Sequence, residues 1–226
     1  MNYQIKHGDQ TFTMHAPNYP DHITDHWKRG RFYESGANGM LSRCEQLKDI
    51  YEGAHALDIG GHMGNHATFF SRVLGMTVMS FEPNFESWDY LHMNGLDHGY
   101  LALHQPLGAK DHALYHIVDG PFGNTGMSRA QLFENGEMVG STVDFILKGF
   151  YGSLGIIKID VEGAEMDVLE GAKQTIKEQG PDLWIETKNP AGIVLWLYEH
   201  CGLKYISEGP YNATPTFRFH TNPLLT

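Results

Sequence analysis

The sequence has few cysteines, no long hydrophobic run and no leader-like start. Its 226 residues include two cysteines, Cys44 and Cys201, which are too few for the disulfide framework of a small secreted domain. No apolar stretch approaches the ~20 residues of a membrane-spanning helix. The first residues also lack the basic start and apolar stretch of a signal peptide. We therefore expect a reduced, cytoplasmic protein with free thiols and no membrane partner.

Positive charge is also scarce in this chain. Sixteen lysines and arginines stand against 27 aspartates and glutamates, which gives a formal net charge of −11. This charge repels a phosphate backbone, so we expect no nucleic-acid partner. The hydrophobic fraction of 41% is sufficient for a core and excludes a disordered chain. At ~150 residues per domain, the length allows one domain, with or without a small cap.

The first quarter of the chain differs in pattern from the rest. Residues 3–14 predict a β-hairpin, and residues 15–38, rich in proline, glycine, histidine and aspartate, predict a loop. Met40 and Cys44 begin a helical spacing that continues to residue 51. We interpret residues 1–53 as a hairpin-and-helix cap that acts as a substrate lid.

Apolar strands alternate with helical patterns over residues 54–226. This alternation is typical of βαβ units, and therefore of an α/β fold with a mainly parallel sheet and helices on both faces. Residues 109–141 interrupt it, and we interpret them as a hairpin insertion around the glycine-rich residues 120–126. Two final strands are predicted at residues 203–207 and 216–220.

The most informative motif places an acid and three glycines where a strand meets a helix. Residues 57–64 read Leu-Asp-Ile-Gly-Gly-His-Met-Gly. Glycines permit a tight turn and close approach of a ligand to the backbone, and the following helix start offers free N–H groups. Parallel sheets bind ligands at the carboxyl ends of their strands, which is where this motif lies. We therefore predict a cofactor-binding turn formed by Asp58, Gly60, Gly61, His62, Gly64 and Asn65.

Glu82 and Pro83 follow the next predicted strand. A carboxylate at this place suits a ribose diol, as in dinucleotide sites. The G-x-G-x-x-G fingerprint of those sites is missing, however, and Asp58 would face any pyrophosphate. An acid before the glycines favours a ligand with an amino group. S-adenosyl-L-methionine has a ribose, an amino-acid end and a sulfonium, and we predict it as the cofactor, with Glu82 and Pro83 in its site.

A second acidic motif follows a later strand. Residues 156–165 read Ile-Ile-Lys-Ile-Asp-Val-Glu-Gly-Ala-Glu. Negative charge near a helix start is stabilising by ~0.3–1 kcal/mol, which by itself explains Glu165. Asp160 instead ends the strand and faces the ligand cleft. We assign Asp160 to both the cofactor site and the catalytic site, and Glu162 to the catalytic site.

Three roles for Asp160 are open on the sequence. It could orient the acceptor oxygen, take a proton from it, or hold a divalent metal together with Glu162. We favour orientation and predict no metal site. Three histidine pairs with i, i+4 spacing do not change this, because a zinc site needs three or four ligands and no convincing third is present. These pairs are His22/His26, His62/His66 and His112/His116.

The motifs together resemble the FkbM family of S-adenosylmethionine-dependent methyltransferases. The resemblance rests on residues 57–64, 81–84 and 157–172. One departure is that Gly61 and His62 stand where the family usually has alanine and asparagine. The resemblance implies a Rossmann-like class I methyltransferase fold, with a seven-stranded sheet and an antiparallel last strand. It also implies O-methylation of a hydroxyl on a sugar, polyketide or other natural product.

Two other functions remain open on the sequence. The chain could be a non-catalytic module that binds S-adenosylmethionine or a nucleotide, although its intact acidic motifs argue against this. It could also be a nucleic-acid methyltransferase, which the charge of −11 and the lack of an Asn-Pro-Pro-Tyr-like motif after the fourth strand oppose. We expect a small-molecule or carbohydrate acceptor.

Overall fold

The computed structural model describes residues 1–19, 21–120 and 127–221. It begins with β1 (Asn2–His7), β2 (Gln10–His15), α1 (His22–Lys28), α2 (Met40–Gln46) and α3 (Lys48–Tyr51). Strands and helices then alternate as β3 (His55–Ile59), α4 (Asn65–Arg72), β4 (Thr77–Phe81), α5 (Phe85–His98) and β5 (Leu101–Leu103).

Three short strands follow: β6 (Leu114–Val118), β7 (Arg129–Leu132) and β8 (Met138–Val139). The rest of the described chain comprises α6 (Val143–Ile146), β9 (Leu154–Ile159), α7 (Glu165–Gly171), α8 (Lys173–Gln179), β10 (Asp182–Glu186), α9 (Pro190–Cys201), β11 (Tyr205–Tyr211) and β12 (Thr216–Thr221). Among the helices of the described ranges, none is both long and apolar enough to cross a membrane.

The central sheet has seven strands in the order β11-β12-β10-β9-β3-β4-β5. Neighbours from β10 to β5 are parallel, whereas β12 pairs antiparallel with both β10 and β11. The predicted α/β class and the antiparallel last strand are therefore confirmed. The register places Asp58 of β3 directly opposite Lys158 of β9.

Each face of the sheet buries its own apolar cluster, because successive strand residues point to opposite faces. Ala56 and Ile156 belong to the first cluster, with α4, α5 and the N-terminal elements. Their neighbours Leu57 and Ile157 belong to the second, with helices α6 to α9. Because helices cover both faces of the sheet, successive residues of these strands are mostly buried, and the strands are continuous apolar runs in the sequence.

The N-terminal elements pack into the first cluster through buried side chains such as Phe12, Trp27 and Phe32. The predicted hairpin is confirmed as β1 and β2, which pair in antiparallel register. The side chain of Asn94 on α5 anchors it: the Asn94 amide accepts from the backbone N–H of His15 at 2.7 Å and donates to the His15 carbonyl at 3.0 Å.

The prediction of a loop over residues 15–38 is wrong in part, because α1 lies within it. Asp21 caps this helix by accepting from the backbone N–H of Ile23 at 2.9 Å. Ile23 and Trp27, four residues apart, point into the core. This i, i+4 pair is the only apolar helical spacing in α1. The polar residues around it make the segment resemble a loop in the sequence. The helix predicted from Met40 is present as α2 and α3, which meet at a single residue.

The predicted insertion forms a small antiparallel sheet. β6 pairs with β7 on one side and with β8 on the other, so a third strand joins the expected hairpin. Of the glycine-rich turn predicted at residues 120–126, residues 121–126 lie outside the described residues.

Candidate active site

A cavity of about 580 Å³ opens at the carboxyl ends of β3, β4, β9 and β10. Its volume lies within the roughly 300–1,000 Å³ of small-molecule sites, and its position is where parallel sheets bind ligands. The structure brings together most of the residues predicted for the site. The cavity is lined by Gly60, Gly61, His62, Asn65, Glu82, Pro83, Asp160 and Glu162. Asp58 and Gly64 lie behind its wall.

Two glycines of the turn are required by packing within the protein. Gly60 has φ of +81°, and a Cβ there would collide with the backbone carbonyl of Asp160 on the adjacent strand. Gly64 has φ of +90°, and a Cβ there would collide with the Tyr100 hydroxyl. The pattern that predicts a ligand turn is therefore also a condition of the fold, and Gly64 packs on Tyr100 behind the cavity wall.

Asp58 forms a buried ion pair beneath the cavity. Its Oδ1 lies 3.1 Å from Lys158 Nζ, and its Oδ2 accepts a hydrogen bond from Ser80 Oγ at 2.9 Å. Lys158 also donates to the Gly60 carbonyl at 2.6 Å and lies 3.6 Å from Asp160 Oδ2. Burial lowers the pKa of Lys158, but the Asp58 and Asp160 carboxylates together outweigh it and raise the pKa above its ordinary value. Lys158 is therefore a cation that links the two predicted acidic residues.

The sequence signal for this pair was a lysine inside an otherwise apolar strand. A charged residue at such a position needs a buried partner. Which partner it has follows from the β3–β9 register, and the sequence does not contain that information.

Glu82 is buried on the opposite side of β3. Its Oε2 accepts from the backbone N–H of His62 at 2.9 Å, and its Oε1 accepts from that of Asn84 at 2.8 Å. Burial raises the pKa of Glu82 to about 7, although these two hydrogen bonds lower it. Each carboxylate oxygen can accept a further hydrogen bond, so Glu82 offers two acceptors to a ligand diol.

Three cavity residues have a left-handed backbone although none is glycine. They are Glu34, His62 and Glu162, with φ of 63°, 48° and 52°. Such conformations cost about 1–3 kcal/mol each and concentrate at functional sites. Burial also lowers the pKa of His62 to about 4, so its imidazole is neutral at pH 7.

A group of carboxylates lines the other end of the cavity, at the ends of β9 and β10. Burial, then the charges of Asp160 and Glu162, raise the pKa of Glu186 to about 7. Burial followed by the charges of Asp160 and Glu165 also raises the pKa of Glu162. Glu186 was not among the predicted site residues. Like Asp160, Glu186 is an acid at the carboxyl end of a parallel strand. It lies on β10, the strand next to β9 in the sheet.

The N-terminal segment supplies part of the cavity wall. The Asn65 side chain accepts from Trp27 Nε1 and from the backbone N–H of Tyr33, both at 3.0 Å, and donates to the Tyr33 carbonyl at 3.2 Å. The residues that follow Asn65 and Tyr33 also meet: His66 Nε2 lies 2.9 Å from Glu34 Oε2. Neither contact has a local sequence signal.

The sheet order, its antiparallel last strand and the cavity at its carboxyl edge define a Rossmann-like fold of the class I methyltransferase type. The model of the methyltransferase FkbM domain family matches residues 58–205. The chain belongs to this family. A search of curated proteins finds no match.

Solved methyltransferase structures share the fold at low sequence identity. A methyltransferase FkbM from Methylobacillus flagellatus KT is 18% identical, with a TM-score of 0.52 over 74% of this chain and 43% of that one. A 16S rRNA N2 G1207 methyltransferase from T. thermophilus, in complex with AdoMet and guanosine, is 15% identical, with a TM-score of 0.53 over 98% of this chain and 50% of that one. The chain thus spans half or less of the length of these two proteins.

Proposed function

We propose that this protein is an S-adenosylmethionine-dependent methyltransferase that O-methylates a hydroxyl of a sugar or another small-molecule natural product. The observation that carries the proposal is one cavity with two different acidic ends. Glu82 lies beyond β4 on one side of the glycine turn, and Asp160 lies beyond β9 on the other. Such a cavity would hold the ribose of the cofactor at the Glu82 end and the acceptor hydroxyl at the Asp160 end.

The residues present fit S-adenosylmethionine. Glu82 has an oxygen for each ribose hydroxyl, and Gly60, Gly61, His62, Asn65 and Pro83 line the same wall. Gly64 and Asp58 would support this wall from behind, through Tyr100 and Lys158. When bound, the cofactor supplies an activated methyl group.

The acidic end of the cavity has the residues that an acceptor hydroxyl requires. Asp160 would accept a hydrogen bond from the hydroxyl and orient its oxygen, with Lys158 holding the carboxylate. Glu186, whose pKa is about 7, is suited to take the proton, since a base works best with a pKa near the working pH. Glu162 would complete this acidic wall. Positioning can supply up to ~7–11 kcal/mol in favourable cases, and a base adds ~10²–10⁴-fold.

The charge of the protein supports a small acceptor. With a net charge of −11 and carboxylates around the cavity, a polyanion would meet repulsion. The similarity to the rRNA methyltransferase, at 15% identity, is a similarity of fold. It gives no reason to assign the substrate of that enzyme to this protein. We propose residues 1–53 and 109–141 as the lid over the acceptor, because Tyr33 and Tyr115 from these segments line the cavity. The free, buried Cys44 and Cys201 support a reducing compartment, the cytoplasm.

Mass spectrometry tests the proposal. The protein is incubated with S-adenosylmethionine and a panel of sugars, small hydroxylated metabolites and short RNAs, and products heavier by one methylene unit are sought. We expect a methylated small molecule. Methylated RNA, or cofactor binding without transfer to any acceptor, would replace the proposal with a nucleic-acid methyltransferase or a binding module.

Asp160→Asn tests the assignment of the acidic end. The change keeps the volume and removes the charge, so we expect kcat to fall roughly 10²-fold or more with little change in Tm. Asp49→Asn, at an exposed position on α3, serves as the matched control. An Asp160→Asn protein that melts early yet keeps full kcat once folded would make Asp160 a structural residue.

A further inference from the structure

A buried hydrogen-bonded pair at the cavity wall joins the N-terminal segment to the first turn of α4. Glu34 Oε2 lies 2.9 Å from His66 Nε2, and the two side chains are 6% and 7% exposed. Both residues line the cavity. A buried polar pair of this kind contributes only modestly to stability, because both groups give up hydrogen bonds to water when they meet. Because both residues lie on the cavity wall, they are positioned to contact a bound ligand.

The surrounding contacts hold the Glu34 carboxylate in one place. Its backbone has a left-handed φ of 63°, and its carbonyl accepts from the Leu41 N–H at 3.2 Å. The preceding residue, Tyr33, is bound on both its N–H and its carbonyl by Asn65. A binding group fixed in this way loses little entropy when a ligand arrives.

The Glu34 carboxylate retains an oxygen for a donor. Over the described ranges, its hydrogen-bond partner is His66, through Oε2. The other carboxylates near the glycine turn are more fully engaged: Asp58 with Lys158 and Ser80, and Glu82 with two backbone N–H groups. Asp160 shares the Lys158 cation. Glu34 therefore lines the cavity with a carboxylate oxygen, Oε1, to which the described residues donate no hydrogen bond.

The glycine turn connects Glu34 to the proposed ribose site. Glu82 binds the turn at the N–H of His62, and His66 follows it at the start of α4. Glu34, His66 and Glu82 line the same cavity, so a ligand whose ribose lies on Glu82 and which crosses the turn would have its other end on the side of the Glu34–His66 pair. In S-adenosylmethionine that end is an amino acid with an α-ammonium group.

We propose that Glu34 binds the α-ammonium group of the cofactor's amino-acid end, and that His66 is the positioning residue that orients the Glu34 carboxylate. Charge-assisted hydrogen bonds of this type are roughly twice as strong as neutral ones. The inference rests on the proposed cofactor and goes beyond it, because Glu34 lies outside residues 58–205 that the family model covers. The N-terminal segment would then complete the cofactor site as well as cover the acceptor.

Calorimetry with three probes tests the inference without an acceptor. S-adenosylhomocysteine has the whole amino-acid end, S-adenosyl-3-thiopropylamine keeps its amine without the carboxylate, and 5′-methylthioadenosine has neither. We expect Glu34→Gln to weaken binding of the two amine-bearing probes by roughly 10- to 150-fold and to leave 5′-methylthioadenosine within about twofold. Glu34→Asp, which keeps the charge, should retain part of the preference for amines.

His66 is tested by the same probe comparison. His66→Gln keeps a donor for Glu34 and should preserve more of the preference for amines than His66→Ala. Glu45→Gln is the matched control, because Glu45 forms an exposed pair with His7, also at 2.9 Å. It should change the affinity for none of the three probes.

Three outcomes would overturn the inference. Equal losses for all three probes in folded Glu34→Gln would mean that the pair only shapes the cavity. Loss of the preference for amines in Asp160→Asn but not in Glu34→Gln would place the ammonium on Asp160. If the wild-type protein binds none of the probes, the proposed function itself fails, which is a different result from either of these.

Discussion

Glu82 combines deep burial with two backbone hydrogen bonds. If it binds the ribose as proposed, this environment would make cofactor binding sensitive to pH. Its pKa is raised to about 7. In the proposed cofactor site, the ionised carboxylate would accept hydrogen bonds from both ribose hydroxyls, whereas the protonated acid would lose one acceptor. We therefore expect the affinity for S-adenosylhomocysteine to be highest above pH 7 and to fall as the pH drops through 7. His62, with a pKa of about 4, stays neutral over this range.

Calorimetry between pH 6 and pH 8 measures this dependence, with Glu82→Gln as the comparison. At pH 8 the variant should bind S-adenosylhomocysteine more weakly by roughly 1.5–3 kcal/mol. Its affinity should also depend less on pH. If the variant retains the wild-type pH dependence, the titrating group is not Glu82.

Lys158 neutralises a carboxylate that has no access to water. Asp58 is 0% exposed, so Lys158→Met would leave a buried charge without its cation. We expect the free energy of unfolding to fall by roughly 3–5 kcal/mol, measured by urea denaturation. Adding Asp58→Asn to Lys158→Met should restore much of this loss, because the buried charge is then absent as well.

An exposed pair gives the control for this prediction. Lys173 and Glu170 lie 2.9 Å apart on the surface, and Lys173→Met should cost less than about 1 kcal/mol. A Lys158→Met protein no less stable than Lys173→Met would show that the ion pair between Asp58 and Lys158 does not stabilise the fold.

At the scale of elements, the Asn65 side chain of α4 forms three hydrogen bonds to the N-terminal segment. Asn65→Ala removes its hydrogen bonds to Trp27 and to both backbone groups of Tyr33. We expect the free energy of unfolding to fall by roughly 1–3 kcal/mol and amide exchange at Tyr33 to accelerate. Hydrogen exchange followed by mass spectrometry measures the second effect.

Asn65→Asp is the graded comparison. It keeps the oxygen that accepts from Trp27 and from the Tyr33 N–H, and it loses the donor to the Tyr33 carbonyl, so its effect should be intermediate. Unchanged exchange at Tyr33 in Asn65→Ala would mean that apolar packing alone holds this segment.

At the scale of the whole molecule, the two cysteines report on the two sides of the sheet. Cys44 on α2 belongs to the cluster that contains the N-terminal elements, and Cys201 on α9 belongs to the opposite cluster. Both are free and buried, as the sequence predicts, and burial raises the pKa of the Cys44 thiol. Because the strands between the clusters are shared, we expect the molecule to unfold as one cooperative unit.

Thiol labelling in increasing urea tests this cooperativity. Both cysteines should become reactive over the same narrow urea range, and mass spectrometry of the labelled peptides distinguishes them. Labelling of Cys44 at clearly lower urea than Cys201 would show instead that the N-terminal elements open independently.

The sequence by itself determined most strands, most helices and the carboxyl ends of the strands at which the predicted site residues lie. These are local consequences: apolar runs and helical spacing follow from side-chain burial, and an acid at the end of a parallel strand faces the ligand edge wherever that strand lies. Gly60, Glu82, Asp160 and Glu162 are predicted in this way, and the structure places all four on the cavity. The sequence predicts a loop where α1 lies, because one i, i+4 pair is the only apolar spacing in this helix. Glu186, at the end of β10, has the same kind of position as Asp160.

Only the tertiary structure decided which buried polar side chains meet. Asp58 is paired with Lys158 because the β3–β9 register places them opposite each other. Glu34 meets His66, 32 residues away in the chain, because Asn65 binds the backbone beside it. Neither pair has a periodicity or a spacing that a sequence could show. The reason is that such a contact forms only when distant segments of the chain come within a few ångströms of each other, and packing of the whole core sets that distance.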